Sequence, residues 1–358
     1  MTTQLLALSM GDPAGIGPEI IIKACAEQPQ LMHHVCVVGD LQVLQRALQV
    51  CREQLPDQAW PELRPVADWQ QAAEQTGQAG QLLLLQACDS PAVMPVFGEV
   101  QAAAGRMAAD CILAGAQAAL EGRAAALVTA PIHKEALALA GVDYPGHTEL
   151  LQACAARHAG VSVVQMPVRM MLANHELRTV LNSIHVSLRD AIEQVSAQQV
   201  LDTIRITHDF LLRTVCARLQ RPPRIALAGL NPHAGEGGLF GCEEIDAILP
   251  AIEAAREQGM DVHGPYPPDT VFMQARAASL QEPPFCDAVI AMYHDQGLIP
   301  VKYLGVEQGV NVTLGLPLVR TSPDHGTAFD LAGTARADCA SLLEAVRMAR
   351  WMTSGSMD

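Results

Sequence analysis

The chain has 358 residues, half of them hydrophobic, with 17% charged and only 4% aromatic. That length carries two domains or one large α/β unit, and the wealth of Ala, Leu and Val fits a sheet covered by helices rather than an all-β sandwich. A formal charge of −15 with no Lys/Arg-rich run argues against a nucleic-acid binder, and no stretch reaches the roughly 18 apolar residues of a membrane span.

The N-terminal strand pattern "LLALSM" (5–10) runs into "GDPAGIGPE" (11–19), a loop with Gly11, Gly15 and Gly17. This is not G-x-G-x-x-G, because Pro13 interrupts it, so a Rossmann dinucleotide site is poorly supported. Met1–Ile22 has no basic residue and its apolar stretch is broken, so no signal peptide is expected and the protein is expected in the cytoplasm. "HVCVVGD" (34–40) reads as a second strand, and the polar 52–80 stretch as surface loops and helix. A helical pattern over Gly105–Glu121 leads to the strand "AALVTAPIHK" (125–134).

Next comes "YPGHTE" (144–149), with His147 and Thr148 at the start of a helix over His147–His158. Thr148 is the expected N-cap, and free N–H groups at such a start favour a bound anion, although a capping threonine beside an exposed histidine is the plainer alternative. "RTVLNSIH" (178–185) is a strand ending in His185, followed by a helical pattern over Leu188–Leu219. "RIALAGL" (224–230) then runs directly into "NPHAGEGG" (231–238), placing His233 at a strand end among glycines. A helix over Glu243–Gln258 precedes "DAVIAMYHDQG" (287–297), which ends at His294. Apolar runs alternating with helices read as a mainly parallel sheet, whose ligand crevice lies at the carboxyl ends of its strands.

Three imidazoles at three strand ends can form a facial set for a divalent metal, or serve as hydrogen-bonded core or acid–base groups; no H-E-x-x-H spacing decides it. Asp295 and Glu236 adjoin two of them as orienting partners or loop acids. "IPVKYLG" (299–305) offers Lys302, and "GVNVTLGLPLVRTS" (309–322) offers Asn311 and Arg320. An arginine within an apolar run needs a partner; Lys302 also reads as an ordinary surface lysine. "DHGTAFDLAG" (324–333) is a tight loop expected to enter a helix, with Gly326 and Thr327 able to offer N–H groups to a phosphate. The ten cysteines are scattered singly without C-x-x-C, as befits reduced thiols.

Taken together, "GDPAGIGPEI", "TAPIHK", "YPGHTE", "NPHAGEGG", "MYHDQG", "GVNVTLGLP" and "RTSPDHGTAFDLAG" resemble the signature segments of the 4-hydroxythreonine-4-phosphate dehydrogenase family, in matching order from residue 10 to about 334. "GDPAGIGPE" and "HGTAFDLAG" are also similar to the wider isocitrate/isopropylmalate dehydrogenase fold, which binds NAD without a Rossmann motif. The resemblance implies two α/β/α domains with a cleft between: a discontinuous NAD-side domain, 1–130 plus 305–358, and a metal, substrate and dimerisation domain, 131–304.

It implies that His185, His233 and His294 bind one divalent ion (Zn, Mg or Co), the last contributed by the partner subunit of a homodimer. It implies His147, Thr148, Lys302, Asn311 and Arg320 as substrate-binding residues; the proton acceptor is left open between a metal-bound hydroxide, Lys302 and Asp269. Gly11 and Gly15 fall near the nicotinamide of NAD or NADP, and His325, Gly326 and Thr327 on its adenosine side. The implied reaction oxidises 4-phosphohydroxy-L-threonine to a 3-oxo acid that loses CO₂, giving 3-amino-2-oxopropyl phosphate in pyridoxine biosynthesis, the ion serving as Lewis acid. Threonate or erythronate 4-phosphate is the alternative substrate within the family. A hydrolase on the same histidines and a two-lobed solute-binding protein are the rivals outside it.

Overall fold

The computed structural model describes residues 5–76, 80–216, 221–279, 281 and 284–354 as a mixed α/β protein. Its strands are β1 (Leu6–Ser9), β2 (Val35–Gly39), β3 (Glu62–Val66), β4 (Gln81–Gln86), β5 (Ala126–Thr129) and β6 (Arg169–Ala173). They continue as β7 (Arg178–Leu181), β8 (Arg224–Ala228), β9 (Asp261–Tyr266), β10 (Ala288–Ala291), β11 (Val310–Leu314) and β12 (Val319–Pro323). The chain forms two compact units, Met1–Pro167 with Leu316–Asp358, and Val168–Gly315. The crossings expected from the sequence were 130/131 and 304/305; the helix His147–Ala159 stays with the first unit, packed on the helix Ala102–Leu120.

In the first unit the strands run β3-β4-β2-β1-β5-β12, each parallel to its neighbour. The inner strands β1, β2 and β5 are buried throughout, as continuous apolar runs in parallel sheets are. The helix Leu41–Gln54 shows how sequence sets the layer. Asp40 caps it by accepting from Val43 N at 2.9 Å, and Val43, Leu44, Ala47, Leu48 and Cys51 fall on one buried face at helical spacing. Two expectations change here. The 52–80 stretch holds β3 and a short helix, Trp69–Glu74, rather than only loops and helix; residues 77–79 lie outside the described set. The 324–333 loop does not enter a helix directly, because turns continue until Ala340.

In the second unit the order is β11-β6-β7-β10-β8-β9, with β6 antiparallel to both neighbours and β7, β10, β8 and β9 mutually parallel. The expected helix over Leu188–Leu219 is two helices, Leu188–Glu193 and Ala197–Arg213. Ser196 restarts the second by accepting from Gln199 N at 3.3 Å, since a serine hydroxyl competes for backbone groups mid-helix; positions 217–219 lie outside the described residues. The helical pattern over Glu243–Gln258 opens with a wider π-type turn, Glu244–Ile248, before Pro250 begins an ordinary helix, Leu249–Glu257. Among the described residues no helix is long and apolar enough to cross a membrane.

Candidate active site

Three strand ends carry the second unit's histidines. β7, β10 and β8 are adjacent and parallel, so His185, His294 and His233, each a few residues past the end of its strand, leave the same edge. Backbone and side-chain hydrogen bonds lace these ends together. Asn182 N donates to Ala291 O at 2.9 Å and Ser183 Oγ to Met292 O at 2.9 Å, joining the β7 and β10 exits. Gln296 accepts from Met292 N at 2.7 Å and donates to Gly229 O at 2.7 Å, joining β10 to β8. The His185 and His294 rings lie 5.7 Å apart between centroids, tilted by 45°.

Two of the three imidazoles have a carboxylate on Nδ1: His294 with Asp295 at 2.7 Å and His233 with Glu236 at 3.1 Å. A carboxylate there draws the ring proton to Nδ1 and leaves the Nε2 lone pair outward, the arrangement that orients metal-ligating histidines. The donor chemistry thus fits a divalent ion of borderline softness. Within the single chain, however, no three His, Cys, Asp or Glu side chains among the described residues are gathered closely enough to hold one.

The loop carrying His233 stores strain. His233, Ala234 and Glu236 have φ of 52°, 52° and 46°, left-handed values that cost non-glycine residues on the order of 1 kcal/mol each. Gly235, at φ 80°, could take no side chain: a Cβ there would meet Glu244 Oε2 at 2.7 Å. Glu244, almost fully buried, holds the strand exit by accepting from Leu230 N at 2.7 Å and Asn231 N at 2.8 Å, and from Asn231 Nδ2 at 2.9 Å. The glycines in "NPHAGEGG" therefore serve a left-handed turn wrapped on a buried acid.

In the first unit, Arg320 on β12 is 3% exposed and aims its guanidinium at β5. Its Nε (3.2 Å) and Nη2 (2.7 Å) both donate to Thr129 Oγ1, and burial lowers its pKa to about 10. The hydrogen-bond acceptors that an arginine in an apolar run needs thus include a hydroxyl. Nearby, burial first, and then the positive charge of Arg320, hold His147 well below the usual imidazole pKa; a hydrogen bond with the Ala130 backbone opposes this. Its Nε2 is buried without a hydrogen-bond partner, so the bond to Ala130 uses Nδ1 and Nε2 retains a lone pair. The helix starts at His147 with Gly146 as N-cap and no capping side chain, which corrects the expectation that Thr148 caps it. A glycine cap leaves the first-turn N–H groups without a side-chain acceptor, the condition that suits an anion.

The two glycine loops of this unit meet. Gly11 (φ 78°) has no room for a Cβ, which would lie 2.5 Å from Pro131 O. Asp12 N donates to that same oxygen at 2.9 Å, and Asp12 Oδ1 turns the loop by accepting from Ala14 N at 2.8 Å. Gly15 packs on Thr327, and Ile16 N donates to Thr327 O at 3.1 Å. Farther along, Glu19 accepts from Gly333 N and Ala335 N, its pKa raised by burial, while Lys23 Nζ donates to Ala337 O at 2.6 Å. These anchors keep 324–339 in turns. His325 and the exposed Gly326 lie at the free part of the loop, with His325 Nδ1 3.0 Å from Gly326 O.

The expected substrate residues divide between the units: His147, Thr148 and Arg320 in the first, Lys302 and Asn311 in the second. Lys302 is half-buried in the last turn of the helix His294–Tyr303, Asn311 is half-buried on β11 opposite Leu172, and Asp269 is exposed in the turn before the helix Val271–Ala277. The sequence reading missed Thr129 and Glu244. A lone hydroxyl closing the strand "ALVT" and a buried acid thirteen residues after Asn231 were the available signals.

A family model described as "Pyridoxal phosphate biosynthetic protein PdxA" matches residues 31–349. A 4-hydroxythreonine-4-phosphate dehydrogenase of Beijerinckia indica is 49% identical over 337 residues, 94% of this chain and 91% of that protein. A D-threonate 4-phosphate dehydrogenase of Salmonella typhimurium is 43% identical over 352 residues, 98% of this chain and 99% of that one. The crystal structure of a 4-hydroxythreonine-4-phosphate dehydrogenase from Klebsiella pneumoniae superposes with a TM-score of 0.84 at 42% identity, covering 98% of this chain and 100% of that chain. A match of this extent leaves one conclusion: the chain belongs to the PdxA family of pyridoxal phosphate biosynthetic proteins and is a dehydrogenase of that family.

Proposed function

We propose that the protein oxidises 4-phosphohydroxy-L-threonine with NAD or NADP, yielding a 3-oxo acid that decarboxylates to 3-amino-2-oxopropyl phosphate in pyridoxine 5'-phosphate biosynthesis. The observation that carries a phosphorylated substrate is Arg320, a buried guanidinium fixed on Thr129 beside the uncapped helix start at His147. Its planar fork matches a phosphate or carboxylate. Thr148, Lys302 and Asn311 complete the substrate contacts in this reading. His147 Nε2, with its lone pair, accepts a hydrogen from the substrate's hydroxyl or ammonium group.

His185 and His233 of one chain and His294 of a second copy hold one divalent ion in this reading, the division that the family resemblance implies. A divalent ion in that set would supply Lewis acidity to the oxygen on the reacting carbon. Gly11 and Gly15, with His325, Gly326 and Thr327, form the dinucleotide side on the first unit, and the second unit is the metal, substrate and dimerisation side. Lys302 accepts the hydroxyl proton, with Asp269 as the other candidate base. The enzyme works as a cytoplasmic homodimer.

A second reading has D-threonate 4-phosphate as substrate, favoured by the nearly full-length relative of that name. Steady-state kinetics on both phosphates and on erythronate 4-phosphate, each with NAD and NADP, separates them. A higher kcat/KM for an aldonate phosphate overturns the threonine assignment. Phosphate release without dinucleotide reduction overturns the dehydrogenase chemistry in favour of a hydrolase.

A further inference from the structure

Two cysteines of the first unit take no part in the site above. Cys111 is fully buried in the helix Ala102–Leu120, which packs on β1, β2 and β5; Cys88 is half-buried just beyond β4. Their sulfurs lie 3.8 Å apart, in van der Waals contact. Cys88 is held in place: Gln86 Nε2 donates to its carbonyl at 2.7 Å and to Asp40 Oδ2 at 2.7 Å, which also accepts from Ser90 Oγ at 2.6 Å. The contact with Cys88, and then burial, keep the Cys111 thiol well above its ordinary pKa.

We propose that Cys88 and Cys111 form a reversible dithiol–disulfide pair, oxidised by a low-molecular-weight disulfide such as oxidised glutathione. Cys88, the more accessible sulfur, loses its proton and attacks the glutathione disulfide; the S–S bond breaks, one glutathione thiolate leaves and is protonated, and a mixed disulfide forms. Cys111 attacks the Cys88 sulfur and expels the second glutathione, which leaves as the thiol carrying the Cys111 proton. Two protein thiols give up two electrons, and the glutathione disulfide takes them up to become two thiols. The buried Cys111 thiol, reluctant to ionise, makes the second step the slower one. The bridge spans 23 positions and tethers the segment that follows Cys88. That segment holds Arg46 through Pro95 O at 2.5 Å and the Phe97 ring, and reaches the first glycine loop where Gly98 N donates to Ala14 O at 2.9 Å.

The test oxidises the native full-length protein with glutathione disulfide, quenches in acid, alkylates in denaturant and maps tryptic peptides, since cleavage after Arg106 separates the two cysteines. The expected result is a Cys88–Cys111 linked peptide with near-complete loss of alkylation at both, reversed by dithiothreitol. Cys111→Ala leaves a lasting glutathione adduct on Cys88, and Cys88→Ala leaves Cys111 fully alkylated. A wild-type protein that accumulates glutathione on Cys88 without the linked peptide, or that joins Cys88 to another cysteine such as exposed Cys242, overturns the proposal. Protein that keeps both thiols alkylated after prolonged oxidation overturns it as well.

Discussion

Arg320 in the first unit is 3% exposed and donates to a hydroxyl; His233 in the second has a side chain 63% exposed and faces a carboxylate. The difference is one of preparation. A buried guanidinium pays its desolvation during folding, so it meets an anion with little further rearrangement. An exposed imidazole whose Nδ1 faces a carboxylate keeps its Nε2 lone pair available, and the strained 233–237 backbone keeps it at the strand end at the expense of local stability. Both lie beside parallel strands, yet one side chain is buried and fixed while the other is exposed.

The largest effect that sharpens this contrast is expected from His233→Ala. In the proposed metal set, losing one of three imidazoles forfeits several kcal/mol of charge stabilisation, so kcat falls on the order of 1,000-fold, and metal co-eluting on gel filtration drops with it. Full turnover by this variant in chelator-treated buffer would refute the metal role. Arg320→Lys keeps a positive charge and loses the fork; kcat/KM for the phosphorylated substrate drops about 100-fold while KM for the dinucleotide stays within about twofold. Equal losses for both ligands would mean that Arg320 orders β12 instead of clamping the substrate.

Glu236→Gln tests the carboxylate on His233 Nδ1. Removing such an orienting partner lowers metal affinity or turnover by roughly 10-fold. No change in either marks Glu236 as a loop acid only. The smallest effect is a pH dependence. His147 has a lowered pKa in the folded protein, so below the unfolded value of about 6.5 the unfolded chain binds a proton that the folded one refuses. Stability is unaffected well above that pH and falls as pH drops below it, by at most about 1.4 kcal/mol at pH 5.5. Denaturant midpoints at pH 7.5 and 5.5 should differ less in His147→Asn than in the wild type, and identical differences would remove His147 from the account.

Much of this arrangement was legible from patterns along the chain. β1, β2, β5, β7, β8 and β10 are the apolar runs that stop abruptly at polar loops, because strands covered on both faces need no alternation. β3, "ELRPV", was not legible: it is a mostly exposed edge strand with Pro65, lacking both the apolar run and the period-two signal. β11 and β12 were hidden inside the stretch noted for Asn311 and Arg320. Asp295 and Glu236 were flagged by adjacency alone, and the structure gives each the hydrogen bond expected of an orienting acid. Glu244 escaped notice because its partners lie 13 and 14 positions away, beyond any helical or strand period.

By itself the amino-acid order determined which segments are strands buried on both faces, where each breaks into a polar loop, and which family the motifs belong to. Those properties are local, set by hydrophobic runs and by glycine and proline punctuation. Only the tertiary structure decided that the histidine strands β7, β10 and β8 are neighbours, that Thr129 receives Arg320 across a strand pair, and that Gly146 rather than Thr148 opens the helix. Strand order and side-chain pairing depend on which distant surfaces bury one another, and no spacing along the chain encodes that.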